Sequence, residues 1–312
     1  MSRYIDLQIN GFAGVDFNNP GVSRPEIAAA AMAMRQQGVE AALPTVITGP
    51  LDDMCQCIHN LRAAMDADAE VASVFKGIHI EGPFLCREPG YIGAHPAEHA
   101  RDQDTAVLQQ LCDAGGPWTK LVTLAPEMDP NGRMTSLCVE RGIVVAAGHT
   151  NASLSQLDTC LNAGLSLFTH LGNGCPQALH RHDNIIYRAL RRADRLRFTL
   201  IADGFHLPQI LFENLLSWIP HERLAVVSDA ISAAGQGPGT YCIGGRAVTV
   251  GSDKAARDAS GEHFVGSACT MRDADNWLEQ KLALSPALRH QLLYLNPAQW
   301  LGLPAFGCGL ND

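Results

Sequence analysis

Residues 143–170 read IVVAAGHTNASLSQLDTCLNAGLSLFTH. A β-branched apolar run, Ile143–Ala147, leads to His149. An amphipathic stretch, Ser153–Asn162, follows and closes at Gly164; a second apolar run, Ser166–Thr169, then leads to His170. The order is strand, helix, parallel strand, with Gly supplying the left-handed cap that turns the chain back into the sheet. Both strands deliver a histidine at the same end.

The unit recurs in both directions. The strand candidates are Tyr4–Ile9, Ala41–Val46, Phe75–Ile80, Lys120–Leu124, Ile143–Ala147, Ser166–Thr169, Phe198–Ala202 and Leu224–Ser228. Between them lie helix candidates at Pro25–Gln37, Asp52–Met65, Thr105–Ala114, Gly132–Glu140, Ser153–Asn162, Ile185–Ala193 and Pro208–Trp218. Eight alternations predict an α/β protein of the (β/α)8 TIM-barrel type. The rival, an open doubly wound sheet, carries a Gly-rich phosphate loop after its first strand. Here the first strand runs into Gln8-Ile9-Asn10-Gly11 without a G-x-G-x-x-G. The expectation is one domain over residues 1–312, with long loops at 84–101 and 231–264 on the catalytic face. In the second loop, Tyr241–Ile243 and Ala247–Val250 flank Gly244-Gly245 and predict a hairpin.

Composition narrows the function classes. Of 312 residues, 46% are hydrophobic and 18% charged, which is a globular balance. Lys plus Arg is 23 and Asp plus Glu 32, a net charge of −9 with no basic cluster, so no nucleic-acid partner is expected. No apolar run has the length of a membrane span, so no membrane partner is expected. The start, MSRYIDLQ, lacks an apolar signal segment, and a cytoplasmic location is expected. The 10 cysteines are scattered with no C-x-x-C, which predicts reduced, mostly buried thiols.

Ionisable residues follow nearly every strand. They are Glu81 after strand three, Glu127 after four, His149 after five, His170 after six, Asp203 and His206 after seven, and Asp229 after eight. One buried histidine alone is more often a hydrogen-bonded packing residue. Four His or carboxylate positions converging on one rim need a reason, because burying unpaired charges is costly. A metal ion supplies one. Glu81, His149 and His170 make a one-carboxylate, two-imidazole set, the pattern of a catalytic zinc-type site with one open position. Asp229 is placed to take a proton from water and pass it to a leaving group. His79 reads equally as a metal ligand or as a packed group beneath Glu81, and His95 as either a substrate contact or a surface residue. His180, Arg181, His182 and Asp183 read as a solvated loop or as an anion clamp over the mouth.

On these residues the chain resembles the N-acetylglucosamine-6-phosphate deacetylase family of the amidohydrolase superfamily. The matches run in order from Tyr4–Gly11 through Leu43-Pro44-Thr45, His79–Pro83, Gly93-Ala94-His95 and Leu124–Glu127. They continue through Ala147–Ala152, Thr169-His170-Leu171 with Asn173, Ala202–His206, Ser228-Asp229-Ala230 and Gly266-Ser267 to Asn296-Pro297-Ala298. The resemblance implies Glu81, His149 and His170 as metal ligands and Asp229 as the catalytic aspartate. It implies substrate contacts at His206, Asn173 and Gly174, and the substrate-side set is completed by Gln8, His95 and Arg181. Gln8-Ile9-Asn10 stands where many superfamily relatives have His-x-His, which implies one divalent ion per subunit: zinc, with iron(II) or cobalt as alternatives. The implied reaction is hydrolysis of the acetamide of an N-acetyl amino sugar, N-acetylglucosamine 6-phosphate first, and the implied assembly is a homodimer. An unphosphorylated or different N-acyl substrate is the alternative; a non-catalytic sugar-binding protein is a remoter one. Two departures stand out. The family's small β-sandwich is expected to be absent from this chain. The segment His180–Asn184 also lacks the family's Pro-Gly.

Overall fold

The computed structural model describes residues 3–258 and 264–303. Eight parallel strands form one sheet in chain order: β1 Tyr4–Ile9, β2 Val39–Ile47, β3 Ile78–Glu81, β4 Thr119–Leu124, β5 Val144–Ala147, β6 Leu167–Phe168, β7 Arg197–Ile201 and β8 Leu224–Val227. The two edges meet just past β8. There the Asp229 amide donates to the Gln8 carbonyl (3.0 Å) and the Asn10 amide to the Ala230 carbonyl (2.7 Å). The sheet is therefore a closed barrel, as expected. Closure also satisfies edge groups that an open sheet leaves unpaired.

Helices wrap the outside: α1 Arg24–Gln36, α2 Leu51–Ala67, α3 Ala69–Val74, α4 Thr105–Gly115, α5 Arg133–Glu140, α6 Leu154–Ala163, α7 Ile185–Leu190 and α8 Gln209–Trp218. Local chemistry sets their starts. Ser23 with Glu26, and Ser153 with Gln156, form reciprocal capping boxes. Gly164 closes α6 at φ 109°, a left-handed cap closed to most other residues. The expected third strand at Phe75–Ile80 begins later, because α3, capped by the Asp68 side chain, occupies the approach to it. The expected helix to Ala193 ends at Leu190, and β6 keeps only Leu167 and Phe168 of the expected four residues.

The expected hairpin is present as β9 Gly239–Ile243 and β10 Arg246–Val250, turning at Gly244 and Gly245, both with positive φ. A short β11, Ala256–Arg257, adds a third strand. Besides these, the described residues make only a two-residue ribbon, Gly11–Phe12 with Val15–Asp16.

Barrel floor and barrel mouth differ in chemistry. The lower interior is filled by Ile5, Leu7, Leu43, Leu121, Leu167, Ile201 and Val227. It is stoppered by Tyr294, Ala298 and Trp300 from the segment that follows α9 Met271–Gln280 and α10 Pro286–His290. Within that stopper, α11 spans Asn296–Trp300, and Asn296 Nδ2 donates to the carbonyls of His221 and Leu224 (2.6 Å each). The upper interior is polar: Gln8, Thr45, His79, Thr123, Thr169 and Thr199 are all buried. All nine described cysteines are free and six are buried, in keeping with the reduced thiols expected; Cys308 lies outside the described residues. Among the described residues no helix is long and apolar enough to cross a membrane.

Candidate active site

The polar upper interior carries Glu81, the last residue of β3, on a scaffold of hydrogen bonds. Gln8 Nε2 donates to Glu81 Oε1 (2.9 Å), and the Thr169 hydroxyl donates to Gln8 Oε1 (2.5 Å). Both ends of the Gln8 amide are thus spent inside the barrel, at 1% exposure. Gln8 serves Glu81 here, and its side chain faces no open space. His79 is also buried, with Nε2 2.8 Å from the Thr123 hydroxyl and its pKa lowered to about 4 by burial, so of the two readings the sequence left open it is the neutral packed group.

Three imidazoles converge on the Glu81 carboxylate. His170 Nε2 lies 3.0 Å and His149 Nε2 3.5 Å from Oε1, and His95 Nε2 lies 3.7 Å from Oε2. All four side chains are buried. The ligand atoms of Glu81, His95 and His149 all fall within 4.8 Å of one another, a group able to hold a metal ion. Tetrahedral bonds of ~2.0–2.1 Å separate ligand atoms by about 3.4 Å, and the imidazole–carboxylate spacings bracket that value.

Ring protons separate the histidines. His149 Nδ1 is 2.8 Å from the Tyr91 carbonyl, which can only accept, so Nδ1 carries the proton and the Nε2 lone pair faces Glu81. His95 is the reverse: its Nδ1 accepts the Thr48 amide (3.3 Å), which puts the proton on Nε2. His95 therefore presents a donor to Glu81 where His149 presents a ligand. His170 Nδ1 is buried with no partner among the described residues. Burial works to raise the Glu81 pKa, but the imidazoles of His149 and His170 beside it outweigh that and hold the carboxyl well below the usual range. Burial works to lower His170, and Glu81 overrides it, raising the imidazole. A carboxylate that stays ionised while sealed among nitrogens is a fitting cation ligand set.

The backbone at these positions is strained. Six non-glycine residues among those described have left-handed φ, and three of them are His149 (49°), His170 (34°) and Asp229 (47°). Each such conformation costs roughly 1–3 kcal/mol, and such strain clusters at functional sites. His149 is also boxed in: a Cβ on Gly93 would come within 2.9 Å of its Cε1, and one on Gly174 within 2.9 Å of its Nδ1.

Asp229 faces the cluster from β8. Asn10 Nδ2 donates to its Oδ1 (2.8 Å), while Asn10 Oδ1 is buried and unpartnered. Burial, then the charge of Glu81, raises the Asp229 pKa. His206 Nδ1 donates to Asp203 Oδ2 (2.6 Å), which fixes the imidazole and leaves Nε2 free. Asn173 turns back onto the His170 carbonyl (3.2 Å), beside Gly174. Arg181 is different: it is exposed, and among the described residues no hydrogen bond or ion pair ties it to the cluster. From sequence, Asn10 and Asp203 were strand-end residues without an assigned role, and Thr48 was not singled out. Asp203 had a readable signal, three residues before His206; Thr48 had none. A cavity of about 770 Å3 is lined by Thr48, whose amide donates to His95, and by Arg246 from β10, but by none of Glu81, His95, His149, His170 or Asp229.

No protein-family model matches the chain. It is 31% identical to a human N-acetylglucosamine-6-phosphate deacetylase, with 96% of this chain and 74% of the relative covered. It is 29% identical to an N-acetylgalactosamine-6-phosphate deacetylase of Escherichia coli O157:H7, covering 96% and 77%. Its backbone superposes on N-acetyl-D-glucosamine-6-phosphate deacetylase from Mycobacterium smegmatis, an aspartate-to-alanine variant in complex with N-acetyl-D-glucosamine-6-phosphate. The TM-score is 0.87 at 27% identity, over 97% of this chain and 78% of that one.

Proposed function

Because this chain belongs to the N-acetylglucosamine-6-phosphate deacetylase family, we propose that it hydrolyses the acetamide of N-acetylglucosamine 6-phosphate to glucosamine 6-phosphate and acetate. The observation that carries this reading is the buried Glu81 carboxylate with imidazoles converging on it and a held aspartate, Asp229, opposite.

Glu81, His149 and His170 hold the metal: one divalent ion per subunit, zinc first, with iron(II) and cobalt as alternatives. The Nδ1 proton of His149 and the Nε2 proton of His95 support this choice over a set containing His95. When bound, the ion supplies Lewis acidity toward the acetamide carbonyl and a water molecule.

The rest is done by side chains. Asp229, held by Asn10, accepts a proton from the attacking water. The new C–O bond forms first; the amide C–N bond then breaks as Asp229 passes the proton to the departing nitrogen. Burial and the charge of Glu81 raise the Asp229 pKa, which makes its carboxylate the stronger base. His206, oriented by Asp203, presents Nε2 to the sugar, and Asn173 and Gly174 supply further substrate contacts. Arg181 supplies the contact to the 6-phosphate.

A homodimer is part of this reading. Exposed apolar side chains, Ile210 (70%) and Trp218 (52%) on α8 and Tyr187 (50%) on α7, support it. The free thiols fit a reducing cytoplasm. Acetate release from N-acetylglucosamine 6-phosphate, N-acetylgalactosamine 6-phosphate and N-acetylglucosamine, assayed side by side, tests the substrate. Preference for the first is expected. Equal rates on the unphosphorylated sugar would remove the phosphate contact, and activity on none would redirect the site to another N-acyl compound.

A further inference from the structure

One strand-end carboxylate has no part in the chemistry above. β4 ends at Leu124, and Pro126–Met128 forms a 3-10 turn that sets Glu127 beside the end of β5. Its two oxygens take different donors from consecutive residues. Oε1 accepts the Asn151 amide (2.7 Å), and Oε2 accepts the Thr150 hydroxyl. Thr150 Oγ1 in turn accepts the Ala152 amide (3.0 Å). The carboxylate therefore grips the first two residues after His149 and, through Thr150, the fourth position of the turn.

His149 needs that grip. Its φ of 49° is disfavoured for a residue with a Cβ, so the conformation must be imposed from outside. Other contacts on this turn come from loops or α7: the Cys86 amide on the His149 carbonyl (3.0 Å), the Tyr91 carbonyl on Nδ1 (2.8 Å) and Arg188 Nη1 on the Asn151 carbonyl (3.3 Å). Glu127 is the charged member of the set that comes from the turn immediately following a barrel strand. Among the described residues it makes no ion pair within 4.0 Å, and each of its oxygens accepts from the turn, with the Cys86 thiol as a further hydrogen-bond partner.

We propose that Glu127 is a positioning residue for the reaction: it holds the 149–151 turn left-handed and so aims His149 Nε2 at Glu81. The inference rests on His149 being a metal ligand, as proposed above. Partners of this kind typically govern metal affinity by 10–100-fold.

The test measures the zinc dissociation constant by chelator competition in the full-length protein. The visible absorption of the cobalt-substituted form reports ligand geometry independently of activity. Glu127→Ala and Thr150→Val are each expected to weaken zinc binding by roughly 10–100-fold and to alter the cobalt spectrum. Thr150→Ser, which keeps the hydroxyl, is expected to match wild type, and Glu127→Gln, which keeps one acceptor, to recover most of the loss. Thr150→Val stands alone if Glu127→Ala does not fold. Zinc affinity within twofold of wild type in the folded variants overturns the inference, as does a lowered melting temperature of the metal-free protein with unchanged affinity and spectrum. If His149→Ala abolishes zinc binding while both Glu127→Ala and Thr150→Val retain it, this inference alone fails. If wild type binds no metal, it fails together with the functional reading.

Discussion

The two ends of this barrel are built on opposite principles. At the floor, Leu7, Leu43, Ile201 and Val227 meet Tyr294 and Trp300, and the side chains fill space. At the mouth, the side chains carry charge, and His149, His170 and Asp229 sit in backbone conformations that cost free energy. The floor recovers through apolar burial what the mouth loses through strain and buried charge. Substitutions at the floor should therefore change stability and spare turnover; substitutions at the mouth should do the reverse.

The sharpest attempt to break that contrast is Asp229→Asn. It removes the proton acceptor and keeps the shape, so kcat should fall roughly 10²–10⁴-fold. The melting temperature should hold or rise, because a strained, buried carboxyl becomes neutral. Trp300→Ala is the floor counterpart. It should cost about 3 kcal/mol in urea unfolding through the cavity it leaves and the lost stacking of Arg197, whose guanidinium lies 5.2 Å from the ring centroid. Turnover per folded molecule should not change, and a large kcat loss would mean that the two ends are not separable.

Next in size is Arg181→Ala, which should raise KM for the phosphorylated sugar about tenfold and leave an unphosphorylated analogue unaffected. Equal effects on both would move the phosphate contact elsewhere on the rim. The smallest effect concerns Asp6, beneath Asp229, which accepts from the Ser228 hydroxyl (2.5 Å) and amide (3.1 Å). Burial pushes its carboxyl up to about 7 from an ordinary 3.8. The folded state thus holds this proton more tightly than the unfolded one. The stabilisation is complete below about pH 4 and is lost as pH rises through 7. Asp6→Asn stays neutral, so its melting temperature relative to wild type should improve from pH 5 to pH 8. A difference independent of pH would assign the charge to another group.

How much of this was legible in the sequence follows from the same contrast. Alternating apolar runs and Gly caps report on packing, so the eight strands and their order could be read directly, with boundaries off by a few residues where α3 intrudes before β3. Strand-end placement of Glu81, His149, His170 and Asp229 was also legible, since it needs only the strand register. Burial of Gln8 against Glu81 was not, because a strand-end amide can point up to substrate or down to a neighbour with the same sequence. The opposite ring protons of His95 and His149 were equally hidden: they depend on the Thr48 amide and the Tyr91 carbonyl, backbone groups with no residue-type signal. Left-handed φ at three non-glycine residues was invisible because it is imposed by tertiary contacts such as that of Glu127 with residues 150 and 151.

The central claim is that the strained mouth is a metal-assisted deacetylase site with Asp229 as its proton carrier. Acetate release from N-acetylglucosamine 6-phosphate, measured on wild type and Asp229→Asn with metal quantified on the same samples, tests it most directly. The account predicts one metal ion per chain in both proteins and rapid acetate release from wild type alone. Acetate release by Asp229→Asn at the wild-type rate, or full activity in wild-type protein stripped of metal, would contradict it.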